Sequence, residues 1–268
     1  MSNILAMTAA IAATGPNMNT AVRGGGGGEY TPPAAGMTRL RLVAYVETGR
    51  HEKEIQGKKK VEEEVQLVFE LSGPKHQPRE HEGQRFPARI TVRLNRSLNE
   101  KAGFYKLFKR MNYKGTATHM SQLLGEAFIG TVVHTTKGEG PEKVTYANLK
   151  DDAGFTIQPP RVPDPLTGDH IDVPVDPPIS ALRLFVWDAS PEFVKPMWDS
   201  LFIDGEAGEG DKKRSLNVFQ NQIKAALNYV GSPVHAMLAS GGLEPDLPGT
   251  EQAPAAGPAN DDPLNGMT

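Results

Sequence analysis

The feature that most constrains this chain is a change of hydrophobic period partway along it. "TRLRLVAYVETG" (38–49) alternates, with Leu40, Leu42, Ala44 and Val46 on one face and Arg39, Arg41, Val43 and Tyr45 on the other. "VEEEVQLVFELSG" (61–73) alternates again, Val61, Glu63, Val65, Leu67, Phe69 and Leu71 opposing Glu62, Glu64, Gln66 and Glu70. "RFPARITVRLN" (85–95) places Phe86, Ala88, Ile90, Val92 and Leu94 inward and Arg85, Arg89, Thr91 and Arg93 outward. A period of two over such stretches predicts strands. The period then lengthens. "SLNEKAGFYKLFKRMNYKG" (97–115) opens on Ser97 and Glu100 as a capping box, carries Leu98, Ala102, Tyr105, Phe108 and Met111 at helical spacing, and stops at Gly115. Two further alternations follow, around Ala127–His134 and Val144–Lys150, across a polar gap.

Three strands, one helix and two strands in so short a span predict a mainly β fold with some helix. The arrangement expected is a five-stranded OB-type Greek-key barrel with its helix between strands three and four. An SH3-like barrel competes, but would not take a helix at that place. "GRHEKEIQGKKK" (49–60), turning at Gly57, and the gap between Lys137 and Lys143 are expected as the two loops flanking a groove. The barrel spans 37–150. Residues 1–36, ending in "RGGGGGEYTPPAAG", are expected to be a disordered arm and glycine-rich linker. Residues 151–180, rich in proline, form an extended connector, and 181–240 a C-terminal helical extension packing on the barrel. Within it Leu216, Phe219, Ile223, Ala226, Leu227 and Val230 share one helical stripe. Residues 241–268 are expected to be a disordered acidic tail.

Charge divides along the chain. Residues 39–150 hold 21 Lys/Arg against 13 Asp/Glu, net +8, while 151–268 hold 7 against 18, net −11. A basic body with an acidic end points to a polyanion ligand. The absence of cysteine excludes disulfides and thiolate chemistry, and no apolar run is long enough to span a bilayer. No Gly-x-Ser-x-Gly, phosphate loop or pair of catalytic carboxylates emerges. His76 and His81 share a loop with Glu80 and Glu82, but match no zinc spacing and read as exposed loop residues. The expectation is a non-enzymatic protein without metal or cofactor.

The sharpest candidate site is the arginine series Arg85, Arg89 and Arg93. Four residues of strand rise about 13 Å, so these would form a row on one face. Ten basic and three acidic side chains fall within 79–114, with aromatic residues interleaved. A basic track with aromatic platforms is how single strands are held without sequence preference. Arg41 and, beside it on the outward face, Tyr45 as a stacking ring complete the strand surface. Lys58, Lys59 and Lys60 would line one groove lip, and Lys137 and Lys143 the other. The competing explanation is structural: Glu62, Glu64 and Glu70 could pair with the arginines across the sheet.

The stretches "GMTRLRLVAYVETGRHEKEIQGKKKVEEEVQLVFELSGP", "SLNEKAGFYKLFKRM" and "LLGEAFIGTVVH…VTYANLK" resemble tailed-bacteriophage OB-fold single-stranded-DNA-binding proteins of the replication and recombination module. The resemblance covers about residues 36–150. It implies coating of single-stranded DNA in the cytoplasm of an infected bacterium, homo-oligomerisation on the strand, and recruitment of phage replication or recombination proteins by the acidic tail. The rival from another class is a structural or adaptor protein, a virion or replisome component, whose basic barrel binds an acidic protein partner. A third reading is an OB module of a larger assembly that binds duplex or RNA.

Overall fold

In this computed structural model the described residues are 31–55, 57–81, 83–138, 143–207 and 213–240. The predicted disorder of the N-terminal arm up to residue 30 and of the acidic tail falls outside them. The sheet is built on β1 (Gly36–Ile55) and β2 (Lys58–Ser72), which pair antiparallel from Arg39↔Ser72 to Ile55↔Lys58. The predicted first groove loop is therefore no loop. The strands run on through it as a ribbon as far as Ile55↔Lys58, with Gly57 at φ +73° between them.

A short hairpin follows, β3 (Arg79–His81) and β4 (Gln84–Phe86), and then β5 (Arg89–Asn95), which pairs with the outer edge of β2. The predicted third strand is thus broken at Pro87–Ala88, where proline has no N–H to give a ladder. Helix α1 (Gly103–Met111) begins later than its capping box predicted. Ser97 Oγ and Asn99 Oδ1 instead accept the amides of Asn99 and Lys101 in successive turns, and Ala102 stands at the N-cap. Its buried stripe is Phe104, Leu107 and Met111, while Leu98 is left exposed. A 3-10 turn (Met120–Leu123) leads into β6 (Ala127–Lys137) and β7 (Val144–Asn148).

The strand order is β5-β2-β1-β6-β7. It is not a closed barrel. Cα atoms of β5 and β7 approach within 8 Å, but no ladder joins them. Leu94 of β5 and the Phe155 ring both lie against Gly103 at the start of α1.

Two bulges in β1 decide which residues face where. Val43 is the extra residue between Leu42↔Phe69 and Ala44↔Val68, and Thr48 between Glu47↔Val65 and Gly49↔Glu64. Each extra residue reverses the alternation beyond it. Leu40 and Leu42 enter the inner core, but so does Tyr45, with Val65, Leu67, Phe69, Leu71, Ile90, Phe128 and the buried residues of α1. The first bulge is also where β1 changes partner: its other edge pairs with β6 over Gly36–Arg41 and, in parallel, with β12 (Arg183–Phe185) over Ala44–Val46.

Beyond β7 come the small hairpins β8 (Lys150–Asp151)–β9 (Gly154–Phe155) and β10 (Arg161–Pro163)–β11 (His170–Asp172). The proline-rich stretch is therefore more than a connector: Phe155 and Ile157 belong to the inner core. After β12, helices α2 (Pro191–Leu201), α3 (Val218–Lys224) and α4 (Pro233–Ser240) form a second layer; a two-residue pairing, β13 (Glu206–Ala207) with β14 (Arg214–Ser215), joins α2 to α3. This layer buries the outer face of the sheet: Val43, Ala44, Val46 and Val68 pack with Phe185, Trp198, Phe219 and Ile223. The predicted long helical stripe ends early. Leu216, Phe219, Ile223 and Ala226 are buried, but the chain turns after Lys224, the Leu227 amide donates to Arg50 O, and Leu227 and Val230 are exposed.

Candidate nucleic-acid interface

The predicted site residues do not meet in one groove. Tyr45 is fully buried, because the Val43 bulge turns it inward, and it cannot stack on a base from there. Its hydroxyl donates to Glu47 Oε1 at 2.9 Å. Burial, then the adjacent carboxylate, pushes the phenol far above its ordinary range. Glu47, itself buried, also accepts from the Trp187 amide and from Arg96, so it ties the inner core to the second layer.

Arg41 is turned to structural use. Its guanidinium donates to the carbonyl oxygens of Gly125, Val175 and Asp176, pinning the 175–180 segment across the sheet. Glu70 completes that strap: its two carboxylate oxygens accept the amides of Ile179 and Ser180. Arg89, directly across from Glu70, donates to Ser180 Oγ at 3.0 Å. Arg93 lies half-buried opposite Gln66, whose amide reaches Gln222 of α3. Arg85 is exposed on the separate β3–β4 hairpin. The three arginines are thus not one open row: two lie on the face that the strap and the second layer cover. His76, read as an exposed loop residue, is buried between Thr38 Oγ1 and Ala34 O.

On the ribbon, Lys59 bonds Glu52 and Lys60 bonds Glu62, each at 2.7 Å, while Lys58 is exposed. The bond to Glu52 holds the Lys59 ammonium above its ordinary range. Arg50 and Lys53 are likewise paired, with Glu63 and Glu64. Five cations and five carboxylates occupy residues 50–64, so the ribbon carries no net charge.

The uncompensated charge lies elsewhere. Between Lys101 and Lys114 there are five cations and no acid. Lys114 pairs with Glu126, but among the described residues no carboxylate forms an ion pair with Lys101, Lys106 or Lys109. Phe104, Leu107 and Met111 turn inward, so Lys106, Lys109 and Arg110 project from the other side of α1. Gly103, Lys106 and Arg110 share one helix side, and Phe155 packs there: its ring lies against Gly103 and its carbonyl accepts from Arg110. Lys150 caps the same ring, Nζ 5.8 Å from its centroid. Asp151 at the end of β8 and Asp152 in the turn that follows are the nearest acids along the chain to Lys150.

From Lys150 the surface continues along β7. Ala147 and Leu149 point into the core, so Tyr146, Asn148 and Lys150 face away from it. Tyr146 lies across from Thr135, and Lys137 across from Val144 at the hairpin tip, beside exposed Lys143. Lys137 and Lys143, predicted for the second lip, thus stand at the β6–β7 end of this surface, with Tyr146 between them and Lys150. Its turn, 139–142, falls outside the described residues. In the sequence Lys106 and Arg110 were legible only as members of a basic run, and Lys150 only as the end of a strand. The absence of acids between 101 and 114 selects Lys106 and Arg110, and the contact to Phe155 joins Arg110 with Lys150.

No family model, curated protein or solved structure matches the chain. Among the described residues no cluster of three or more His, Asp or Glu is placed to hold a metal ion, and no helix is long and apolar enough to cross a membrane.

Proposed function

We propose that this chain is a non-enzymatic single-stranded-DNA-binding protein of OB type, acting in phage DNA replication or recombination within an infected bacterium. The observation that carries the reading is the face of α1 with Lys150, where cations without carboxylate partners surround a packed aromatic ring. An OB-type barrel is supported by the central place of β1, by α1 lying between the third and fourth long strands, and by the approach of β5 to β7. The binding surface in this reading is not the outer face of β2 and β5, which the strap and second layer cover. It runs from α1 across Lys150 and Tyr146 to Lys137 and Lys143. Phosphates are neutralised along the cations, and Tyr146 offers a stacking surface.

The test is a fluorescence titration of labelled oligo-dT, and of duplex of equal length, at two salt concentrations. With four to five phosphates held, log affinity for the single strand should fall against log salt with a slope of about −3. Preference for duplex, or no binding to either at low salt, would overturn the reading and leave the adaptor alternative, in which the same cations meet an acidic protein.

A further inference from the structure

A second basic place lies away from α1. A cleft of about 490 Å³ opens between the start of β1, the turn after β2, the β3–β4 hairpin and the 176–179 strap. Two guanidinium groups line it, Arg39 and Arg85. Arg39 is half-buried on β1 opposite Ser72. Arg85 stands across its hairpin from Glu80, yet among the described residues neither arginine is in ion-pair contact with a carboxylate. Arg41 and Arg89, by contrast, are held by the strap. Of the two acids in the lining, Glu70 has both oxygens occupied by strap amides, and Asp176 is exposed at the rim. Three prolines, Pro74, Pro78 and Pro177, stiffen the remaining walls, which also carry the polar Ser72, His76 and Gln77.

We propose that this cleft binds a phosphate monoester of nucleotide size. Guanidinium forks match phosphate oxygens in pairs, and two of them suit a group carrying nearly two negative charges. A volume of this order holds a small organic ligand rather than a bare ion, and proline walls are already rigid, so ordering them on binding costs little. The ligand is a free nucleotide or the 5′-phosphate end of a strand, chemically one group. The site goes beyond the proposed function, since internal phosphates, which are diesters with a single charge, are left to α1.

The experiment uses the full chain and isothermal titration with dTMP, thymidine and inorganic phosphate, then oligo-dT with a 5′-phosphate or a 5′-hydroxyl. dTMP should bind, and thymidine and inorganic phosphate should each bind at least about tenfold more weakly, as expected when charge-assisted bonds or wall contacts are lost. Arg39→Gln and Arg85→Gln should each weaken dTMP about tenfold, whereas Asp176→Asn should strengthen it. Arg85 is exposed on the short β3–β4 hairpin, so Arg85→Gln reads binding even if Arg39→Gln fails to fold. Tighter binding of the 5′-phosphorylated strand assigns the site to strand ends; equal binding of the two strands with tight dTMP assigns it to free nucleotide. Thymidine or inorganic phosphate binding as well as dTMP, or an unchanged Arg85→Gln, overturns the proposal. An oligonucleotide that fails to bind whatever its end, with dTMP still bound, would instead refute the single-strand reading alone.

Discussion

Residues 50–64 of the β1–β2 ribbon and residues 101–114, which hold helix α1, carry five cations each, and they use them in opposite ways. On the ribbon four of the cations pair with carboxylates of the ribbon itself. Arg50 meets Glu63, Lys53 meets Glu64, Lys59 meets Glu52 and Lys60 meets Glu62. The register sets Arg50 directly across from Glu63, while Lys53 and Lys59 reach diagonally to the other strand and Lys60 pairs along its own strand. On α1 the helical period sends the apolar residues inward and gathers Lys106, Lys109 and Arg110 together, with no acid within reach on the same element. A lysine run is thus a poor guide to an anion site unless the neighbouring strand is known. Exposed pairs are worth little to stability, but they remove the field that would attract a polyanion.

The largest effect expected concerns how the ribbon is fastened. Gly49 sits at the second bulge with φ +106°, and a Cβ there would meet Ala226 Cβ at 2.5 Å, Asn228 Oδ1 at 2.7 Å and Trp187 Cζ2 at 2.8 Å. Gly49→Ala combines backbone strain with overpacking, about 2–5 kcal/mol together. Gly57→Ala at the ribbon tip has a similar sign of φ but open space around it, so it should cost only about 1–2 kcal/mol. Urea denaturation of the two variants measures the difference. Equal losses would mean that the second layer does not grip the ribbon base.

Next comes charge reversal on α1. Lys106→Glu with Lys109→Glu should lower oligo-dT affinity at low salt by about tenfold or more and flatten the salt slope by about 1.4. The matched ribbon change, Lys59→Gln with Lys60→Gln, should move affinity less than about twofold, since those charges are already neutralised. Comparable losses from both pairs, read by fluorescence anisotropy, would break the contrast. The converse sharpens it. Glu52→Gln with Glu62→Gln removes the ribbon's own counter-charges and should recruit it, raising affinity a few-fold at low salt with the gain fading as salt rises.

Much of the sheet was legible because β2 and β5 keep strict alternation: Val65, Leu67, Phe69, Leu71 and Ile90 face the core as their spacing requires. β1 was misread beyond Val43 because a bulge leaves no mark in an alternation of Val, Ala and Tyr, yet it reverses every face after it. Gln66 and Glu70 look like solvent-facing positions, but a second sheet face can be buried when other segments supply partners, here Gln222 and the amides of Ile179 and Ser180. Those partners lie more than 100 residues away in sequence, beyond any local period. Partners 84 to 135 residues away likewise hid the fate of Arg41 and Arg89. On α1 the basic run was visible, but its apolar stripe was placed one residue late, on Tyr105 and Phe108, because the capping box suggested an earlier start.

The smallest effect expected concerns a base that the fold keeps uncharged. His76 donates from Nε2 to Ala34 O at 2.9 Å, and its Nδ1 lies 3.0 Å from Thr38 Oγ1. Burial, as the main cause, holds its pKa below the ordinary 6.5, only partly offset by the bond to Ala34. The unfolded chain therefore takes up this proton more readily than the folded one. Stability from this residue is fully present above about pH 6.5 and is lost as pH falls through that value towards the folded-state pKa. His76→Gln keeps a donor for Ala34 O but cannot titrate. The melting temperature of the wild-type chain should fall more between pH 7 and pH 5 than that of the variant, and the gap should be set by this window and not by salt. Here too the contrast with α1 applies: a surface cation answers to ionic strength, whereas a buried base answers to pH. Parallel pH profiles for the two proteins would show that His76 is as easily protonated in the fold as out of it, and would place it with the surface charges.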